Sequence, residues 1–350
     1  MKVKFRNNII TLSNFCGVSG AESDAAHKIA GMFKEYTDEV YISSLGSVVA
    51  KRKGNKDNYG SVMIEAHMDE IGLMVTGIDD NGYVKFTNIG GIDSRILPGC
   101  EVIIHGKEDI FGVIGAKPPH LMTDSEMDNA PVKKDLFIDA GYTKKEAEAL
   151  ISVGDTITFF NETSSLMNDY ISSKSLDDRC AVAILLDIFD CLKGVDIPYD
   201  IYFVASTMEE TNGSGALTVA YEINPDFAIV IDVTHGDTPD ASSSETYKTG
   251  EGLFTLCMGP NIHPVLLSNI RKVLDESEIK YELEIEGGNT GTNAWSIQVA
   301  RDGIPCTLFS VPLRYMHTPN EVICIRDAKH TSYAVNTFLK SLDKAGDGLC

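Results

Sequence analysis

The chain contains no C-x-x-C pair, no internal repeat, no low-complexity tract and no apolar run long enough to span a bilayer. Each of these absences removes a class of function. Eight cysteines scattered through 350 residues are too sparse for a disulfide scaffold and read as buried reduced thiols. The longest useful apolar run, Ala181 to Leu186, is far short of the ~20 residues a membrane helix needs. Met1 to Arg6 is followed by Asn7 and Asn8 rather than by an apolar stretch, so no secretory signal is expected and the chain is read as cytoplasmic, with no membrane partner. Basic residues are also in short supply. Thirty Lys and Arg stand against 51 Asp and Glu, a net charge of -21, which opposes nucleic-acid binding because phosphate neutralisation needs clustered cations. The only basic triplet, Lys51-Arg52-Lys53, reads as a solvated strand end.

What is present is ordinary for a folded globule: 43% hydrophobic and 23% charged residues, in a length that favours two domains or one domain with an insertion. Asp24 is placed to cap a helix whose apolar positions Ala26, Ile29, Ala30 and Phe33 recur at helical spacing. Strands are predicted at Val40 to Ile42, Ser47 to Ala50 and Val62 to Ala66. The last is apolar on both faces, so it belongs in the middle of a helix-covered sheet, where ligands gather at the strands' carboxyl ends. Residues 72–160 change texture to short β-like runs broken by Gly, Asn, Asp and Pro, with one helix announced by the Thr143/Glu146 capping box. The α/β pattern then resumes to the end. The expected architecture is α/β: a mostly parallel sheet flanked by helices (1–71 and 161–350), carrying a small inserted β-rich domain (72–160).

Chemistry-bearing residues fall at the ends of these elements. His67 and Asp69 follow one strand, Asp177-Asp178 opens a helix, Glu209-Glu210 follows Ile201 to Ala205, Asp232 ends Phe227 to Ile231, and His317 lies in a loop close to Pro319. His-x-Asp alone is common, although a ligating His needs an acceptor for its other ring N–H, and Asp69 is close enough in sequence to supply one. Acids at a helix start also complement the helix dipole. Glu209-Glu210 is more telling, because adjacent carboxylates after a buried strand repel and lose hydration unless a cation compensates. Glu210 as a ligand would leave Glu209 as general base. Two His and three carboxylates, one of them shared, give three ligands to each of two hard cations and leave room for water. The absence of thiolate argues against a structural zinc site.

The segments Ala66-His67-Met68-Asp69-Glu70-Ile71-Gly72, Ser175-Leu176-Asp177-Asp178-Arg179, Glu209-Glu210, Asp232-Val233-Thr234 and Arg314-Tyr315-Met316-His317-Thr318-Pro319 resemble, in order, the motifs of the tetrahedral (TET) dinuclear metallo-aminopeptidases. That family has carried the labels glutamyl aminopeptidase, deblocking aminopeptidase and sometimes endoglucanase. The likeness runs nearly end to end and includes Gly112 to Pro119 with His120. It implies a zinc-exopeptidase fold with a dimerising barrel insertion, assembled into a dodecameric tetrahedron. It further implies two divalent ions, zinc or cobalt with manganese as an option. His67, Asp177 and Asp232 would hold one, and Asp177, Glu210 and His317 the other. Glu209 would be the base, Asp69 the support of His67, and the reaction the attack of a metal-bridging water on the first peptide carbonyl of short peptides.

Two positions depart from the family pattern. Gly291-Thr292-Asn293-Ala294 stands for the usual Gly-Thr-Asp-Ala, removing a charge expected near the substrate-amine side of the pocket, and Thr211-Asn212-Gly213 replaces Val-Gly after Glu210. The competing functions are a glycoside hydrolase, which needs two carboxylates and no metal pair, and a catalytically silent assembly protein that keeps the fold.

Overall fold

Six successive residues, Val62 to His67, are buried in the strand Ser61–His67, as expected of a strand covered on both faces. The computed structural model describes residues 2–342 except 58 and 243. Among the described residues, eleven strands form one sheet. Its main path runs Val40–Ile42, Val48–Arg52, Asp200–Ser206, Ser61–His67, Phe227–His235, Cys306–Arg314, Glu321–Cys324, Tyr170–Ser173 and Ser164–Ser165. Thr255–Met258 pairs with Cys306–Arg314 and carries Glu282–Ile285 beside it. The four central strands, Asp200–Ser206 through Cys306–Arg314, are mutually parallel, and antiparallel strands extend the sheet on either side. Parallel neighbours need crossovers, and the helices Leu176–Cys191 and Ser214–Ile223 pack against these strands. Leu176–Cys191 is buried from Leu176 to Phe189 because Lys2–Ser13 and Ile325–Ser341 cover it.

Six further strands between Gly72 and Phe159 close into a barrel, in the order Gly72–Ile78, Val84–Ile89, Phe137–Asp139, Asp109–Gly115, Glu101–His105 and Thr156–Phe159. Asp109–Gly115 alternates exposed and buried residues, the period-two pattern of a strand with one face on a core. Leu73, Val102, Ile104, Ile138 and Ile157 fill the interior as a hydrophobic cluster separate from that of the sheet. Thr143 and Glu146 form the expected capping box on Lys144–Leu150.

Several elements depart from expectation. Asp24 is not a cap: Glu22 holds the N-cap position of Ser23–Phe33 and makes no capping bond, while Asp24 lies in the first turn and pairs with Lys28 at 3.2 Å. The Glu22 carboxylate is engaged elsewhere, accepting from Gly20 N at 2.8 Å and Met208 N at 3.0 Å. Lys2–Ser13 is a helix that the polar Asn7-Asn8 pair obscured, although Phe5, Ile9 and Leu12 recur at helical spacing and are buried. Phe227–His235 continues three residues beyond Asp232, because Cys306–Arg314 pairs with it as far as His235 and Leu313. No described helix is long and apolar enough to cross a membrane.

Candidate active site

Strand register brings the first site residues level. Ser206 is the parallel partner of His67, and Val230 is that of Glu65, so Asp232, two residues beyond Val230, stands beside His67. The chain leaving Ser206 turns through Met208, at φ 58, to present Glu209 and Glu210. Ser175 and His317 also adopt positive φ (56 and 59), a costly conformation for non-glycine residues that tends to occur where function requires it. Gly213, at φ 67, ends the turn after Glu210; a Cβ there would lie 2.3 Å from Ser296 Oγ. Within the same turn, Thr211 meets Ser19 at 3.1 Å and Asn212 accepts from Ser214 N at 2.9 Å.

All seven predicted residues converge. His67 Nε2 lies 3.1 Å from Asp177 Oδ1 and 3.9 Å from Glu209 Oε2. On the other side of Asp177, His317 Nε2 lies 3.5 Å from Asp177 Oδ2 and 3.2 Å from Glu210 Oε2. Two donor groups result, His67–Asp177–Asp232 and Asp177–Glu210–His317, each with its donor atoms within 4.8 Å of one another. Asp177 belongs to both. His317 Nδ1 meets the carbonyl of Gly91 at 2.8 Å, a contact from the barrel segment. Asp69 faces His67 Nδ1 at 3.4 Å without a well-formed hydrogen bond, and its two oxygens accept from Glu209 N and Glu210 N, each at 3.0 Å.

Sequence reasoning passed over a second such carboxylate. Glu321, buried at the start of its strand, accepts from Asp177 N and His317 N, each at 3.0 Å, and so ties together the backbones of two donors 140 residues apart in sequence. Its only signal was its place in the loop-to-strand segment after His317. Asp178, which follows a cis peptide bond, accepts from His67 N at 3.3 Å. Beneath the site, Lys174 meets Glu70 at 2.6 Å, Glu70 accepts from Gly17 N at 2.9 Å, and buried Arg179 donates to Leu12 O at 3.0 Å. Asn293 is not at the substrate side. It is 1% exposed and donates to Glu65 Oε1 at 2.8 Å and Ser206 Oγ at 3.0 Å, behind the strands, because it opens the short helix Asn293–Ile297, which packs on the sheet.

The electrostatics show an excess of negative charge. Burial, joined by neighbouring carboxylates and partly offset by His67, pushes Glu209 up to about 9. The same two causes raise Asp178, Asp232 and Glu321 well above the ordinary carboxylate range. Burial opposes the His317 imidazolium, yet Glu210 and Asp177 carry it up to about 10. Among the described residues neither Lys nor Arg lines the cavity, which measures about 360 Å³. Hard oxygen donors, two imidazoles and uncompensated buried charge are the composition that suits divalent cations.

Residues 46–333 match the family model described as M42 glutamyl aminopeptidase. The chain belongs to that family. This peptidase, a hydrolase of peptide bonds, is 32% identical to the lysyl aminopeptidase of Pyrococcus furiosus, over 93% of its own chain and 94% of the relative's. It is similar to the TET aminopeptidase of a marine sediment archaeon of the Thaumarchaeota, at TM-score 0.91 and 30% identity over 97% of both chains. It is also similar to the TET1 peptidase of Pyrococcus horikoshii, described as able to assemble into a tetrahedron or a large octahedral shell, at TM-score 0.83 and 26% identity over 96% of this chain and 99% of that one.

Proposed function

We propose that this peptidase removes N-terminal residues from short peptides at a pair of divalent cations, zinc or cobalt or manganese. One cation would be held by His67, Asp177 and Asp232 and the other by Asp177, Glu210 and His317. The observation that carries this reading is the membership of Asp177 in both donor groups, with Glu209 beside them. The bound ions would polarise the scissile carbonyl and make water nucleophilic near neutral pH. Glu209 takes the proton from the attacking water at its carboxylate and passes it to the leaving amine nitrogen. Asp69 keeps Glu209 and Glu210 in place through their backbone N–H groups and orients His67. A glycosidase would not need the two imidazoles between these carboxylates.

Residues 72–160 are proposed to be an inserted domain that serves dimerisation and roofs the site, which the contact of Gly91 with His317 supports. By likeness to the horikoshii TET1 peptidase, for which a dodecamer and a tetrahedron are described, a tetrahedral dodecamer is the assembly proposed.

Protein dialysed after metal loading is expected to retain about two ions per chain by elemental analysis, and Asp177→Asn to retain none. Metal-free wild type under replete conditions would point instead to a silent scaffold. Glu321→Ala leaves two buried N–H groups without acceptors, and loss of such a supporting partner weakens metal retention about 10- to 100-fold. Competition with a graded chelator measures this, and an unchanged affinity would remove Glu321 from the site.

A further inference from the structure

One wall of the active-site cavity has no part in the reaction described above. The strand Glu282–Ile285 and the residue after it alternate acidic and apolar side chains: Glu282, Glu284 and Glu286 fall on one face, and Leu283 and Ile285 on the other, exposed one. Glu284 and Glu286 line the same cavity as Asp177, Glu209 and His317.

Glu284 is a built feature rather than a stray surface acid. It is 9% exposed, and its two oxygens accept from Thr234 Oγ1 and Thr255 Oγ1, each at 2.6 Å. Those hydroxyls satisfy the hydrogen bonds of a carboxylate but leave its charge unneutralised. No Lys or Arg lines the cavity among the described residues. Burial first, and then the charges of Glu284 and Glu286, carry both the Tyr247 phenol and the Cys257 thiol up to about 12, so the field reaches the surrounding groups. The same cavity holds both donor groups, His67–Asp177–Asp232 and Asp177–Glu210–His317, so a substrate brought to them meets this wall.

Position relates this wall to the substrate. Thr234 lies two residues beyond Asp232 on the same face of its strand, about 6.6 Å along it. A residue whose α-amine and carbonyl sit at the Asp177–Asp232 cluster therefore directs the end of a long side chain towards Glu284. Gly291 and Thr292 line the same cavity and bring no charge of their own.

We infer that Glu284 and Glu286 form the selectivity wall for the N-terminal side chain and that the enzyme takes peptides beginning with lysine or arginine while rejecting those beginning with glutamate or aspartate. The inference rests on the aminopeptidase reading. An ammonium or guanidinium supplies the missing countercharge, whereas a substrate carboxylate would be desolvated against two like charges.

The test is an aminoacyl-p-nitroanilide panel run on the metal-loaded enzyme. Lysyl anilide is expected to exceed leucyl anilide at least tenfold in kcat/KM and glutamyl anilide at least a hundredfold, with the lysyl advantage shrinking as ionic strength rises. Glu284→Gln, which keeps an acceptor for the threonines, and Glu286→Gln, on the more exposed position, should each lower the lysyl-to-leucyl ratio about tenfold. Faster turnover of glutamyl than lysyl anilide, or a ratio that neither variant moves, overturns the inference while leaving the aminopeptidase reading intact. If no anilide is cleaved, the aminopeptidase reading fails, and calorimetric titration then tests the wall directly. L-lysine binding at least tenfold tighter than L-norleucine supports it, and equal or absent binding of the two overturns it.

Discussion

Glu209→Gln lowers kcat on aminoacyl anilides about 10³-fold, within the usual range for loss of a general acid–base group, and leaves the metal content unchanged. The two side chains are nearly isosteric, and the Glu209 backbone N–H remains bonded to Asp69, so the turn that presents residues 209 and 210 is retained. What disappears is the capacity to accept a proton. Glu209 belongs to neither donor group, yet Oε2 stands 3.9 Å from His67 Nε2, close enough to act on a water held among them. Steady-state kinetics with parallel elemental analysis decides the matter. A kcat within tenfold of wild type excludes Glu209 as the base, and loss of metal would recast it as a ligand.

Stripped of metal, the protein loses stability steadily as pH rises from about 5 to 9. Glu209 carries its proton up to about 9 in the folded state against an ordinary 4.5, so the folded chain binds more protons than the unfolded one across that window, and stability falls as pH increases through it. Asp178, Asp232 and Glu321, all raised, contribute in the same direction. His317 does so as well: its protonated form, favoured up to about 10 against an ordinary 6.5, stabilises the fold at low pH and is lost on the alkaline side. Because each of these shifts has the same sign, the contributions accumulate. With chelator present, Tm is expected to drop by on the order of 10 °C between pH 5 and 9, and saturating zinc or cobalt should abolish most of that slope, since cations replace the protons. A metal-free Tm that is flat or rising over this range would contradict the charge distribution described.

Local patterning revealed much of the fold. Val40–Ile42 coincides with its prediction, and Ser61–His67, Asp200–Ser206 and Phe227–His235 extend only a residue or a few beyond theirs, since a run dominated by apolar residues has few destinations other than a buried parallel strand. The Thr143/Glu146 box likewise reads directly, because its partners are three residues apart. Short flanking strands such as Tyr170–Ser173 and Glu321–Cys324 were illegible: their antiparallel pairing depends on a partner about 150 residues distant, and each is only four residues long. Asn293 misled for a related reason. Its neighbours Gly291 and Thr292 do face the cavity, but helix geometry turns the next side chain inward to Glu65.

The order and types of residues in the chain determined which groups were available: two imidazoles and three carboxylates as donors, Glu209 beside Glu210 as a base, and an accessory Asp69 within two residues of His67. These are properties of short segments, where side-chain type and element periodicity are enough. That Asp177 is common to both donor groups was implied beforehand only by resemblance, and the fold brings those groups together; tertiary structure alone decided that Glu321 joins the Asp177 and His317 backbones and that the acids of the Glu282–Ile285 strand share a cavity with the reactive centre. Each of those facts is a distance between segments set by sheet register and packing, which no local pattern encodes.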